Sequence, residues 1–243
     1  MEIRRATAGD LAAIADVVIA SLAEDPSWRS LFTSEIRHDP NYRLYIREIL
    51  KTYLAPSNTE WLVLVAEAPK GLMSTIVSVA IWNVSLSKNR TSTRRDSAST
   101  LCNFSEAVEV MSSNTDLSTL DKLTALRDTM SCIQNQSFQH LEPCVYLEVL
   151  ATHPVYRGQG YAKALCTEVI ESAQDHNLPV SVLTSARGYI FFSGLGFKDI
   201  GCASLRGPDR TLEECVVKAM VRHLRPRKSR PLVVNWVLQR VTM

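Results

Sequence analysis

The residues best suited to chemistry begin at Arg157-Gly158-Gln159-Gly160-Tyr161-Ala162, where two glycines stand one residue apart, after an apolar β-rich run and before an amphipathic one. Backbone N–H groups at a helix start have no partner within the helix, and the helix dipole favours an anion there. Glycines at 158 and 160 let a pyrophosphate approach the backbone without meeting a Cβ. The arrangement predicts a phosphate-bearing ligand, although a bare Gly-x-Gly before a helix also serves as a tight turn.

Upstream, Glu148 interrupts the apolar run from Val145 to Ala151. Strand alternation puts it on the face of Tyr146 and Leu150. A carboxylate there is expected to be partly desolvated, with a raised pKa that suits it to accept a proton directly or through water. The plainer reading is a solvated strand end, or an ion pair with an arginine. His153, just before Pro154, reads as a structural residue at the strand exit rather than a site residue. The six cysteines are scattered, with no Cys-x-x-Cys pair and no His at ligand spacing, so free thiols are expected and no metal.

These groups need elements to position them. Cys144 to Ala151 reads as a strand, Gly160 to His176 as a helix, Pro179 to Thr184 as a buried strand, and Arg187 to Ser193 as a helix broken at Gly194 and Gly196. That order requires a parallel strand pair with its crossover helix on one face. Earlier, Ile3 to Ala6 reads as a first strand. Asp10 is placed to cap a helix carrying Leu11, Ile14, Val17, Val18 and Leu22 at helical spacing. A second helix spans Pro40 to Leu54, with Leu44, Ile46, Ile49, Leu50 and Tyr53 as apolar positions, and Trp61 to Ala66 with Ser74 to Val84 reads as a hairpin turning at Pro69-Lys70-Gly71. Ser85 to Thr100 has the composition of a surface loop, and Leu120, Leu123, Arg127, Met130 and Ile133 give a further helix one apolar side. Phe197 to Ala203 and Cys215 to Arg222 close the sheet.

The glycine segment resembles motif A of the GNAT acetyltransferases, whose Arg/Gln-x-x-Gly-x-Gly/Ala signature matches Arg157, Gly160 and Ala162. Leu147-Glu148-Val149-Leu150-Ala151-Thr152-His153-Pro154 resembles that family's fourth strand and its exit. Ser185 to Phe197 is similar to its motif B helix with the Leu-Gly-Phe ending. The resemblance runs from about Ile3 to Leu224, weakly before Trp61, and leaves out Leu86 to His140 and the tail after Arg225. It implies an α/β fold of the α+β mixed-sheet kind: a twisted, mostly antiparallel sheet with helices on both faces and one parallel pair splayed around acetyl-CoA. The domain is then 1–224 with an insertion at about 86–140, and 225–243 is a basic linker and extension.

The same resemblance implies acetyl-CoA as co-substrate, without a metal. Its pantetheine would pair with Leu150, Ala151 and Thr152, its pyrophosphate would lie on the amides of Gly158, Gln159, Gly160, Tyr161 and Ala162, and Arg157, Ser185 and Phe192 would also contact the cofactor. Glu148 takes the position of the proton acceptor. The sequence departs from the family where a tyrosine usually faces the sulfur, because Phe192 stands there. Tyr189, one helical turn earlier, is the substitute candidate, and packing is the plainer reading for both. Trp28 and Phe32 would stack on an apolar acceptor, with Glu24, Asp25 or Glu60 drawing its charge; both aromatics also suit packing of their loop.

Of 243 residues, 46% are apolar and the net charge is only +2, so no broad field draws the chain toward nucleic acid. No signal-like or membrane-length apolar run is present. The expected partner is a small-molecule amine, with no nucleic acid and no membrane; the protein would be a monomer or homodimer, cytoplasmic, with the nucleus as alternative. Arg222, Arg225, Arg227, Lys228 and Arg230 read as a solvated linker. Two other functions stay open: acetylation of a protein lysine or α-amino group, and a CoA-binding module without catalysis.

Overall fold

A computed structural model describes residues 1–25, 38, 40–70, 73–84, 117–141, 143–205 and 215–223. Trp28, Phe32, the run Ser85 to Thr100, the basic residues from Arg225 onward and the tail lie outside the described residues. Within them, the helices are α1 (Leu11–Glu24), α2 (Pro40–Leu54), α3 (Leu117–Phe138), α4 (Tyr161–Asp175) and α5 (Ala186–Gly194). The strands are β1 (Glu2–Arg5), β2 (Trp61–Lys70), β3 (Met73–Asn83), β4 (Val145–Thr152), β5 (Val180–Thr184), β6 (Lys198–Leu205) and β7 (Cys215–Arg222). They form one sheet in the order β1-β2-β3-β4-β5-β7-β6. All neighbours are antiparallel except β4 and β5, whose crossover α4 supplies.

Alternation along the strands builds two cores. On β3, Val79 and Ile81 face α1, α2 and α3, meeting Ile14, Val18, Tyr45, Ile46 and Leu50. Ala80 and Trp82 face the other way, toward Leu165, Val169 and Ile170 of α4 and Phe192 of α5. Each such buried aliphatic side chain contributes about 1.5–3 kcal/mol relative to exposure. Helices therefore cover both faces, as the expected mixed-sheet architecture requires.

Several local expectations are corrected. Asp10 holds the N-cap position of α1, but its carboxylate makes no cap bond and instead accepts the Thr7 amide at 2.7 Å and the Thr7 hydroxyl at 2.9 Å. Strand β2 continues through Pro69 to Lys70, because Pro69 sits at the hairpin's end opposite Ser74. On α2 the buried face is Tyr42, Tyr45, Ile46 and Leu50, and Leu44 is exposed.

The same Asp10 carboxylate takes two hydrogen bonds of 2.8 Å from the Arg4 guanidinium, whose Nε donates to Glu67 at 2.7 Å. Arg4 first, then Thr7, hold the Asp10 pKa well below the usual carboxylate range. A depressed folded-state pKa gives stability that is complete above the unfolded value and is lost as pH falls through the folded one. Asp10→Asn should therefore cost about 1 kcal/mol at neutral pH, Arg4 being half-open to screening water. The gap to the parent should close on acidification, which thermal unfolding at a series of pH values checks.

Candidate functional site

The site begins where the sheet comes apart. The parallel ladder of β4 and β5 holds Val145↔Val180, Tyr146↔Ser181 and Leu147↔Val182, and ends there. The next residue, Glu148, is the extra residue of a bulge: on β3, Trp82 pairs with Leu147 while its neighbour Ile81 pairs with Val149. A bulge re-aims the strand and switches its alternation. Tyr146 and Val149 accordingly face the α1/α2 side, and Leu147 and Leu150 the α4 side. Glu148 thus shares no face with Leu150, contrary to regular alternation, and is exposed rather than desolvated.

Past the bulge β4 follows β3, with Ala151↔Val79 and Thr152↔Ser78, while β5 follows β7. Ser78 fixes this exit: its buried hydroxyl donates to the Ala151 carbonyl at 2.9 Å and lies 2.8 Å from Thr152 Oγ1. Between the diverging strands a cavity of about 650 Å³ opens, lined by Glu148 to Thr152 on one side and Leu183 to Ser185 on the other. Its volume lies in the range of small-molecule sites.

One end of the cavity is the start of α4. Gly158 and Gly160 have φ of 77° and 88°, a left-handed backbone that favours glycine. The Ala164 amide closes a bond to the Gly160 carbonyl at 3.0 Å, so the amides of Tyr161, Ala162 and Lys163 precede the regular ladder. Gly158, Gly160, Ala162 and Lys163 line the cavity. Arg157 lines it too, yet its guanidinium folds onto α1 and donates to the Ser21 carbonyl at 3.2 Å. Burial, then the charge of Arg187, pulls the Arg157 pKa down. Gln159 turns away, donating to the Val155 carbonyl at 3.4 Å, and does not line the cavity. Tyr161 is buried, edge-on to Tyr156 at 6.3 Å.

The far wall is α5. Ser185 caps it, accepting the Gly188 amide at 3.4 Å and donating to Asp25 at 2.9 Å. Helical periodicity turns Gly188, Phe191 and Phe192 to the cavity and Tyr189 outward, where it is 36% exposed with Lys218 Nζ 5.8 Å from its ring centroid. Tyr189 therefore does not line the cavity, because a step of one position turns a side chain about 100° around the helix. Phe192 is buried against Phe191 and Phe197, with ring centroids 5.0 and 5.3 Å away.

A Cβ at Gly188 would lie 1.8 Å from Thr184 Oγ1 and 3.2 Å from Thr184 Cβ, so this glycine sets how closely α5 packs on β5. Gly188→Ala should push α5 off the strand and cost about 1–3 kcal/mol. Much of that loss should return in a Thr184→Ala background, measured as a double-mutant cycle in urea.

The cavity is also walled by α1, α2 and α3, through Val18, Tyr45, Ile46, Ile49, Tyr53 and Met130, with Arg127 among them. Tyr53 makes a side-chain hydrogen bond with Glu148; burial first, then the Glu148 charge, holds its phenol well above the usual range. Tyr45 is pushed up to about 12 by burial. Both phenols stay protonated at neutral pH. Asp25 lines the cavity near α5, held by Ser185, and Glu60 does not line it. His153 stands outside the lining, edge-on to Tyr156 at 5.9 Å, with its amide on the Val77 carbonyl at 2.9 Å. Sequence reasoning missed Tyr45, Tyr53 and Arg127 as cavity residues. Tyr45 and Tyr53 lie on α2 and Arg127 on α3, and spacing within either helix does not show that its face looks onto the cavity.

A mixed sheet with a splayed parallel pair and a glycine-lined helix start at the gap defines the GNAT acetyltransferase fold. Residues 129–197 match the model of the acetyltransferase (GNAT) family, the segment that holds β4, the glycine turn, α4, β5 and α5. Among solved structures the chain is similar to a Drosophila melanogaster polyamine N-acetyltransferase that forms N-acetylagmatine, at 14% identity over 92% of this chain and 99% of that one, TM-score 0.57. It is also similar to a mosquito arylalkylamine N-acetyltransferase-like protein, at 15% identity over 92% and 99%, TM-score 0.55. A third is the PaiA N-acetyltransferase of Thermoplasma acidophilum in complex with coenzyme A, at 14% identity over 91% and 98%, TM-score 0.52. No curated protein sequence matches. The match to the GNAT family is carried by residues 129–197, and the fold is shared with these N-acetyltransferase structures.

Proposed function

We propose that this protein moves the acetyl group of acetyl-CoA directly to the primary amine of a small molecule. The observation that carries the reading is one continuous cavity joining a glycine-lined helix start to a carboxylate, Glu148. The residues fit the cofactor. Gly158 and Gly160 present backbone with no Cβ in the way, the first amides of α4 face an anion favourably, and Lys163 adds a cation. The β4 edge from Leu150 to Thr152, beyond the end of its ladder with β5, offers backbone groups to an extended amide-bearing arm.

Acetyl-CoA supplies an activated thioester carbonyl. Glu148, exposed to the cavity, accepts the proton that the amine sheds as its C–N bond forms. Tyr53 donates to Glu148 and fixes its orientation, and its raised pKa keeps that donor in place. Phe192 has no proton to give, so the departing thiolate is not protonated from that position of α5.

Walls from α1, α2 and α3 favour a small acceptor over an extended peptide. A panel of arylalkylamines, polyamines, amino acids and histone-like peptides, read by mass spectrometry of the acetylated product, tests this. Small amines should show the higher kcat/KM. A higher value for peptides would move the acceptor to protein amines, and acetyl-CoA binding without any product would make the chain a binding module.

A further inference from the structure

Beyond Leu147↔Val182 no ladder pairing joins β4 to β5, because β4 continues against β3 and β5 against β7. The width of the cavity between them therefore depends on what bridges its two lips. One lip is the turn after β4, with Arg157, and the other is the start of α5, with Ser185 and Arg187. The last turn of α1 touches both. Its carbonyls at 21–24 have no helical partner and stand at the negative end of the helix dipole, so they suit guanidinium donors. Arg157 Nη2 donates to the Ser21 carbonyl at 3.2 Å from one lip, and Arg187 Nη1 to the Glu24 carbonyl at 3.5 Å from the other. Asp25, where α1 ends, accepts from the buried Ser185 hydroxyl at 2.9 Å. Arg187 is exposed and its bond is long, so the Ser185–Asp25 bond is the firmer tie on that side. Burial first, then the charges of Arg187, Glu24 and Asp25, act on Arg157, so both lips crowd this one turn of α1.

We propose that the end of α1 is a clasp across the mouth of the cofactor cleft, and that Asp25, acting through Ser185, is a positioning residue for acetyl-CoA. This rests on the acetyl-transfer reading of the cavity. Charge alone argues the other way: Asp25 lines the cavity, and a carboxylate there repels the phosphates of acetyl-CoA. Its use is therefore the tie and not the charge. An intact clasp holds the lips at the spacing the ligand meets, and without it binding carries the cost of ordering them.

The full chain is titrated with acetyl-CoA by isothermal calorimetry, in which the stoichiometry reports the folded fraction and keeps misfolding apart from affinity. Asp25→Ala removes charge and tie together and should raise Kd about tenfold, the scale of a hydrogen bond to a charged group. Asp25→Asn removes the charge but keeps an oxygen for Ser185, and should restore the affinity to the parent's or better. Arg157→Ala cuts the other lip and should also weaken binding. Added to Asp25→Ala it should raise Kd by less than about threefold more, because a clasp open at one end is already open, whereas independent contacts would multiply. Tighter binding by Asp25→Ala, equal affinities in the Ala and Asn variants, or losses that multiply in the double variant would overturn the clasp and leave the acetyl-CoA site standing. A parent that binds no acetyl-CoA would overturn both.

Discussion

Gly160→Glu should lower acetyl-CoA affinity by about a hundredfold or more, read by isothermal titration calorimetry. Two terms add. Gly160 has φ of 88°, where an L side chain costs about 1–2 kcal/mol. The new carboxylate then stands beside the site meant for a pyrophosphate, and like charges about 5 Å apart repel by about 3 kcal/mol at an effective dielectric of about 20. Steric clash is not a term, because a Cβ there meets nothing within 4 Å. Gly160→Ala isolates the strain and should cost tenfold or less, so a large gap between Ala and Glu shows that the ligand at this helix start is anionic. Equal affinity in the Glu variant and the parent would remove the phosphate from this loop.

Glu148→Gln should lower kcat by about a hundredfold, the scale of a positioned general base, while acetyl-CoA affinity and thermal stability stay near the parent's. Stability should hold because the side chain is exposed and because Gln keeps an acceptor for the Tyr53 hydroxyl. Stopped-flow thiol release separates this from a binding defect: the amine-dependent step slows and the KM for acetyl-CoA does not move. A fall in kcat of less than about threefold would assign proton acceptance to another group or to water. Tyr53→Phe should then have the smaller effect of the two, because it removes a group that orients the carboxylate rather than the carboxylate itself.

What could be read in the sequence is what local rules govern. The glycine turn, the strand before it and the helix after it were legible because positive-φ glycines, apolar runs and helical spacing each leave a mark within a few residues. The parallel pairing of β4 with β5 followed from the strand-helix-strand order alone. Glu148 shows the limit. Its type singled it out, yet its surroundings depend on a bulge set by pairing with Trp82 and Ile81, residues far away in the chain, and regular alternation wrongly gave Leu150 the same face. Tyr189 stands outside the cavity lining for a similar reason. A tyrosine one turn from Phe192 shares its side of an ideal helix only approximately, and Gly188 packed on Thr184 fixes a rotation that points Tyr189 to solvent. Tyr45, Tyr53 and Arg127 reach the site through packing of α2 and α3 across the sheet, which no spacing in their own segments encodes.

Amine-dependent cleavage of acetyl-CoA at this cavity is open to a single assay. Purified full-length chain is incubated with acetyl-CoA and the amine panel, and free thiol and acetylated amine are quantified together. Equimolar thiol and N-acetyl product should form with at least one small amine, and both should be lost in Gly160→Glu. No binding of acetyl-CoA, or thiol release that no amine accelerates, would contradict it.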